Sequence, residues 1–422
     1  MPTLLKSAFG SLGLKFAAAG TGLLNGVLLA RMLGPEAFGV YSIAMAAVTF
    51  LGTLAALGLP PLVTREVAVY QAQENWPLLK GFFQTSQRWV LIASLSLAAG
   101  AGAVVLLESA PFSLAVTGTL SVLLLIPLVA LNQFRAAVLR GLHWVVIADV
   151  PDLLLRPGLL LVMLLGVYAL ATGLDASEAL FLQVGAVLSA FVVGSWLMQK
   201  VLPAQIQHVA GETVHGHWLQ ASAVFLAIAV IGLLEAQLPL YVLGHLAGAE
   251  QAGLYQAANQ IVSVVVMGLV AINMPLQPKL AAAWTRGDKC EAQKLVTQAT
   301  RLGAATALAS ALLLIPFAGS VLQVYGSTYG DAAAALQILV MGQFVNAAAG
   351  PCALVLAATG MQRFALYGMA AGLMVSAAAL WLFVPEYQTT GAALAAVLGL
   401  LTWNGLSAYW AWRLVDIKTL VH

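Results

Sequence analysis

The side chains best placed to do chemistry in this 422-residue chain are ionisable groups set in long apolar runs. Glu235 lies within the apolar stretch 223–243. An ionisable residue at the centre of a membrane helix costs about 2.5–3.5 kcal/mol on insertion scales, so it implies either a function or a partner. A carboxyl there can bind and release H+ or Na+ as its access to water changes, which makes Glu235 the candidate coupling residue. The alternative is a packing carboxyl hydrogen-bonded to Gln237 or to amides of the next helix. Lys15, about two turns into the first run, either faces a cavity or snorkels its ammonium to the headgroups. Arg31, at the far end of that run, either anchors in the headgroup region or gates a passage. Asp149, Asp152 and Arg156 open the fifth run, and the i,i+4 spacing of Asp152 and Arg156 predicts that they pair with each other.

Amides form a second pattern. Gln256, Asn259, Gln260 and Ser263 recur at steps of three and four, so they share one helix face. Asn273 and Gln277 extend that polarity around Pro275. Such a row facing lipid would be costly; it either lines a wet cavity or bridges helices. Ser42, Thr49 and Thr53 make a milder row in the second run, and Pro60, Pro61 and Pro275 are candidate bending points. No nucleotide-binding G-x-x-x-x-G-K-[ST] loop and no H-E-x-x-H motif occurs, so neither a catalytic residue nor a cofactor is expected. His208, His215 and His217 cluster in one connection, where a solvated loop is expected in place of a metal site. Cys290 and Cys352 imply no disulfide framework.

The elements that must position these residues follow from composition. The chain is 61% hydrophobic and only 8% charged, with a mean hydropathy of +0.94. Soluble domains carry roughly 25% charged residues, so a soluble enzyme is excluded. A net charge of +2 gives no reason to expect a nucleic-acid partner. Spanning-length runs are expected near 8–33, 38–63, 89–107, 113–134, 145–170, 178–198, 218–243, 253–276, 300–324, 332–357, 364–384 and 391–412. The expected fold is an all-α polytopic membrane protein of twelve helices. With the N-terminus inside, most Lys and Arg, among them Arg65, Arg135, Arg140 and Lys279, fall in cytoplasmic loops, tails or helix ends, which orients both termini to the cytoplasm.

An internal repeat organises the twelve. Leu23-Leu24-Asn25 aligns with Leu233-Leu234-Glu235, and Leu33-Gly34 with Leu243-Gly244. After a four-residue insertion, Gly39-Val40-Tyr41 aligns with Gly253-Leu254-Tyr255, and Pro61 and Arg65 then fall on Pro275 and Lys279. Six spans per half is an even number, so the halves are expected to be parallel repeats around a central cleft, with Asn25 and Glu235 as counterparts. The expected lobes are residues 1–200 and 218–422, joined by a cytoplasmic linker over 201–217. A repeat of this kind argues for a transporter.

The stretch from Leu29 to Ser42, with Arg31, Gly34-Pro35-Glu36 and Gly39-Val40-Tyr41, resembles the first outer loop of bacterial polysaccharide-biosynthesis flippases. Gly58-Leu59-Pro60-Pro61-Leu62-Val63-Thr64-Arg65-Glu66 is similar to the same family, which belongs to the multidrug/oligosaccharidyl-lipid/polysaccharide exporter superfamily. The resemblance implies a MATE-like fold of two six-helix lobes around a central cavity. It also implies export of an undecaprenyl-diphosphate-linked oligosaccharide across the bacterial inner membrane by alternating access. Under that reading Lys15, Arg31, Arg65 and Lys279 would hold the diphosphate, while Asn25, Gln256, Asn259 and Gln260 would meet the sugars. A monomer in the bilayer would suffice, driven by an H+ or Na+ gradient or by the substrate's own. The competing readings are a multidrug or cation antiporter, with Glu235 binding the cation, and a glycan polymerase or ligase, for which the outer loops are short.

Overall fold

The computed structural model describes residues 2–107, 114–171, 173–212 and 215–420, and these are helical and strand-free. The helices are α1 (Pro2–Ala55), α2 (Leu59–Ala72), α3 (Trp76–Leu107), α4 (Val116–Gly141), α5 (Val145–Val150), α6 (Arg156–Ala169) and α7 (Ala176–Val201), followed by α8 (His215–Ala247), α9 (Ala249–Thr285), α10 (Lys289–Leu314), α11 (Ala318–Leu322), α12 (Ala333–Ala349), α13 (Cys352–Ala358) and α14 (Gln362–Trp410). Among the described residues nine helical stretches are long and apolar enough to cross a membrane. Two of them, Gly13–Ala55 and Gln362–Val415, have length for two crossings each. With α10, which is of spanning length but polar in its first turns, they account for the twelve crossings expected. This is a multi-pass membrane protein.

The two long helices bend where local chemistry demands it. Gly34 adopts φ 74°, ψ 173° immediately before Pro35. A residue before proline is driven out of the α region, and only glycine reaches that positive φ without strain. In α14 the break is at Gln388, φ 45°, three residues after Pro385 has removed a backbone donor.

Contacts divide the chain into two compact units, residues 1–33 with 40–230, and 34–39 with 231–422. In the first, Leu59, Leu62, Phe82, Phe134 and Val138 form a buried core around Trp218. The Trp218 indole donates to the Tyr70 hydroxyl at 3.2 Å and packs edge-on against Phe82. Burial pushes the Tyr70 phenol above its usual pKa, with the indole bond acting the other way. The start of α8 thus packs within this unit. The linker is tied to α3, with Lys80 Nζ donating to the Val209 carbonyl at 2.8 Å and Glu212 N to the Pro77 carbonyl at 3.0 Å. The side chains of His208, His215 and His217 lie outside the described residues.

The second unit has its core at Leu280, Val296, Leu356, Val415 and Ile417. Its terminal segment is fastened down. Gln293 exchanges two hydrogen bonds with the Lys418 backbone, at 2.7 and 2.8 Å, and Thr300 Oγ1 donates to the Thr419 carbonyl at 3.0 Å.

The two halves share their turns. Gly34 and Gly248 have nearly the same backbone angles, φ 74° and 94° with ψ 173° and 167°. Glu74 and Gly287 both take positive φ, after which Asn75 and Asp288 cap α3 and α10 by accepting from Leu78 N and Glu291 N. His143 and Gly360 repeat the pattern, with Trp144 N donating to the Leu139 carbonyl and Met361 N to the Leu356 carbonyl. Within the second unit the segments beginning at Gly34 and Gly248 approach reciprocally. A methyl on Gly39 would strike the Ala249 carbonyl, and one on Gly253 the Pro35 carbonyl.

These turns correct the expected register. Gly34 and Gly39 are as far apart as Gly248 and Gly253, so no insertion separates the two motifs. Asn25 lies nine residues before its break and Glu235 thirteen before its own. The counterpart of Glu235 is therefore Thr21, one helical turn away from Asn25. Beyond the shared turns the described residues of the halves differ after the second span. The first-half helix ends at Ala55, and Gly58, at φ 67°, caps α2 where Ser222 and Leu226 leave no room for a side chain. The corresponding stretch of α9 runs on through Pro275 and Pro278 as one helix.

Candidate functional site

The first unit gathers its charge in one place. α4 ends at Gly141, a three-residue turn follows, and α5 brings Asp149 and Asp152 back alongside the α4 arginines. Arg135, 2% exposed, donates from Nη2 to Asp152 Oδ2 at 3.0 Å and from Nη1 to the Ala190 carbonyl at 2.7 Å. Its guanidinium lies directly over Gly194 of α7, where any Cβ would overlap it. Arg140 donates from Nε and Nη2 to Asp149 Oδ1 at 3.2 and 2.9 Å.

Asp152 therefore pairs with Arg135, and the expected Asp152–Arg156 pair does not form. The reason is local: Pro151–Leu155 is a π turn, which widens the helix and spoils the α-helical i,i+4 alignment. Arg156 turns instead to Gln183 of α7. With the Gln183 amide oxygen toward it, that oxygen accepts from Arg156 Nε at 3.0 Å and Nη2 at 2.8 Å. The opposite side of the amide stands 3.4 Å from the buried Tyr41 hydroxyl.

Next to this network is a polar cavity of about 330 Å3, lined by Thr49, Asn132, Gln133, Arg140, Asp152 and Arg156 with Pro60, Val129 and Ala136. Gln133 donates to Thr53 Oγ1 at 3.0 Å. Asn132 is 4% exposed and its Oδ1 accepts no hydrogen bond among the described residues. The second unit contains a smaller cavity of about 190 Å3, with Asn273, Thr300 and Asn346 as its polar lining and no charged residue.

The residues singled out from sequence are distributed differently. Asn25 is buried and its amide donates to the Pro157 carbonyl at 2.8 Å, so it braces the start of α6. Lys15 is half-buried and Arg31 exposed, on successive parts of α1. Arg65 is exposed and paired at 2.7 Å with the adjacent Glu66. Lys279 is exposed near the end of α9. No single described cavity brings these four cations together.

Gln256, Asn259 and Gln260 are half-buried along one face of α9, as their spacing requires, and Tyr325 donates to Gln260 Oε1 at 3.2 Å. Glu235 is half-buried in α8, and among the described residues it has neither a hydrogen bond nor an ion pair. Neither Gln237 nor the α9 amides satisfy it. No cluster of three or more metal-ligating side chains occurs among the described residues.

Sequence reasoning missed Arg135 and Arg140 as site residues by assigning them to a cytoplasmic helix end. The available signal was the short turn at 142–144, which must fold Asp149 and Asp152 back onto them.

A family profile described as "polysaccharide biosynthesis protein" matches residues 4–284, and one described as MatE matches residues 219–382. No curated protein sequence matches. Among solved structures, the fold is similar to an inward-facing multidrug resistance MATE family transporter of the MOP superfamily, with TM-score 0.80, 14% identity and 94% of each chain covered. It is also similar to the lipid II flippase MurJ in an inward closed conformation, with TM-score 0.75, 12% identity, and 96% of this chain and 87% of that one covered. A third similar structure is a MOP superfamily transporter from Pyrococcus furiosus Vc1, with TM-score 0.69, 15% identity, and 98% and 95% covered.

Proposed function

The chain belongs to the polysaccharide biosynthesis protein family, and from that premise we propose that it is a transporter that flips an undecaprenyl-diphosphate-linked oligosaccharide across the bacterial inner membrane. The observation that carries the reading is a hydrophilic cavity of about 330 Å3 with arginines and amides built among membrane-spanning helices. Polar groups within a bundle of spanning helices are costly unless a partner, water or a polar cargo meets them. The cargo has a charged diphosphate and sugar hydroxyls, while its polyprenyl tail stays in lipid. Guanidinium groups suit the first and amides such as Gln256, Asn259 and Gln260 the second. Lys15, Arg31, Arg65 and Lys279, lying toward helix ends, would draw the anionic headgroup in.

Alternating access would involve the two lobes, 1–200 and 218–422, with the 201–217 linker and both termini on the cytoplasmic side. Glu235 is the proposed coupling residue, exchanging H+ or Na+, since a carboxyl in a spanning helix with no partner among the described residues needs water, a proton or a cation. A functional monomer with no enzymatic step suffices for this cycle. The MatE match over 219–382, together with Glu235, favours one second reading, a multidrug or cation antiporter.

A deletion strain tests both. Lipid-linked oligosaccharide accumulating on the cytoplasmic side, cleared by the restored gene, is the expected result. Normal surface glycan with raised drug sensitivity would replace the flippase reading by the antiporter.

A further inference from the structure

The terminal segment of the second unit encloses a groove against the end of α14. After the π turn Ala411–Val415 the chain leaves the helix through Asp416, at φ 59°. From there its side chains alternate. Ile417 and Thr419 are buried, and the hydrogen bonds from Gln293 and Thr300 hold that register. Lys418 and Leu420 are consequently left exposed. They share a groove of about 430 Å3 with Gly405, Ala408 and Tyr409 of α14 and with Trp412 of the π turn. Gly405 keeps the groove deep, since a Cβ there would meet nothing within 4 Å.

The chemistry of the lining defines the occupant. Its walls are mostly apolar, and Lys418 is the charged side chain among them, with no ion pair among the described residues. Tyr409 and Trp412 are 51% and 50% exposed. Half-exposed aromatic rings at the end of a spanning helix are typical of the membrane interface, where one ring meets acyl chain and headgroup together. The Arg413 guanidinium lies 6.0 Å from the Trp412 ring centre and puts a second cation beside the groove. The acids nearby are largely committed: Asp288 caps α10 and Glu291 pairs with Arg286, which leaves Asp416 against Lys418 and Arg413. Clustered Lys and Arg at the membrane surface attract anionic lipid. A free aqueous anion would gain nothing from the apolar walls, and a neutral hydrocarbon nothing from Lys418.

We propose that this groove binds one anionic phospholipid of the surrounding bilayer. Its phosphate meets Lys418 and Arg413, and one acyl chain lies along Gly405, Tyr409 and Trp412. Because the walls come from α14 and from the terminal segment, the bound lipid ties the two together. The inference does not depend on which cargo the protein carries.

Tryptophan fluorescence in nanodiscs of brominated phosphatidylcholine tests this, because bromine quenches the rings that touch lipid. The Trp412 signal is the difference between the full chain and its Trp412→Phe variant. Unbrominated phosphatidylglycerol should relieve that quenching with at least fivefold preference over unbrominated phosphatidylcholine. Lys418→Gln, read against its own Trp412→Phe reference, should bring the ratio close to one. Gly405→Leu fills the groove without displacing protein atoms and should lower the ratio at least threefold. Both positions are exposed, so both variants should fold. Lys200→Gln serves as the control, since that ammonium sits 3.6 Å from the Trp196 ring centre in the first unit and lines no part of the groove; the ratio should not change. An absent preference in the parent chain overturns the site, as does one that both groove variants leave intact. A change in only one of them also overturns it, since headgroup and acyl chain would then not be held by one site. Undecaprenyl phosphate relieving the quenching better than phosphatidylglycerol would assign the groove to a polyprenyl lipid and refute the phospholipid.

Discussion

Replacing Gly194 by alanine should be far more damaging than replacing Gly185 on the same helix, α7. The added methyl at 194 would overlap Nη1 and Cζ of Arg135 and stand 2.7 Å from Nε, whereas at 185 it would meet only the end of the Met163 side chain at 3.5 Å. The guanidinium cannot give way without leaving Asp152 and the Ala190 and Phe191 carbonyls, which it holds at 3.0, 2.7 and 3.3 Å. Breaking a buried ion pair costs about 3–5 kcal/mol in soluble proteins. Hydrogen bonds inside membranes average only about 0.6 kcal/mol, so three of them set a floor near 2 kcal/mol. Alanine recovers about 1 kcal/mol of helix propensity at either site. The net expectation for Gly194→Ala is therefore a loss of about 1–4 kcal/mol, against no loss for Gly185→Ala. Equilibrium unfolding in mixed detergent micelles reads both. Repeating Gly194→Ala in an Arg135→Met background isolates the cause, because without the guanidinium the methyl should do little harm. Equal stability of Gly194→Ala and Gly185→Ala, or an unchanged penalty in the Arg135→Met background, would refute the packing argument.

Other substitutions probe other parts of the chain. Glu235→Gln keeps shape and hydrogen bonding while removing titration, so the protein should express and fold normally but transport without response to a pH or Na+ gradient, or not at all; unchanged, gradient-dependent transport would make Glu235 a packing residue. Gly39→Ala and Gly253→Ala should destabilise to a similar degree, about 1–3 kcal/mol each by overpacking, since each methyl meets a backbone carbonyl of the other segment; thermal unfolding in detergent that spares either variant contradicts the reciprocal contact. Removing residues 416–422 takes away the buried Ile417 and Thr419 and should cost about 3–5 kcal/mol of burial and hydrogen bonding. In a Cys290→Ser background that truncation should make the buried Cys352 react with maleimide, and continued protection would show that the tail does not cover it.

Much of the fold was legible because its causes are local. Spanning length, the Gly34-Pro35 break and the amide face of α9 depend only on residues near one another in sequence. The repeat was legible too, but its register was not. Apolar helices offer many Leu-Leu matches, and alignment on Leu23-Leu24 and Leu233-Leu234 slipped one turn from the alignment that the backbone breaks impose. Asp152 shows why ion pairs are harder still. Its i,i+4 neighbour Arg156 was a reasonable partner for a regular helix, yet a π turn bounded by Pro151 moves the pairing to another helix. Hydropathy places Arg135 at a cytoplasmic helix end, because it does not reveal that Gly194 leaves room for a guanidinium inside the unit.

The duplicated turns make the difference between the halves informative. α4 and α12 with α13 hold corresponding places in the two repeats, as the matched turns at His143 and Gly360 require, and each lines a cavity of its own unit. In the register set by the turns at His143 and Gly360, Asp149, Asp152 and Arg156 of the first unit fall on Leu366, Met369 and Leu373 of the second. A purely structural polar cluster has no need of an arginine charge beyond those its acids neutralise, and the second unit packs its equivalent helix without one. The surplus charge of the first unit is thus a departure from what the fold itself requires. The second unit departs in the opposite sense, placing Glu235 where its counterpart in the first repeat is Thr21. A transporter of a charged cargo driven by a cation needs an anion-holding group and a cation-holding group that do not neutralise each other. The two repeats diverge, one toward guanidinium and the other toward carboxylate.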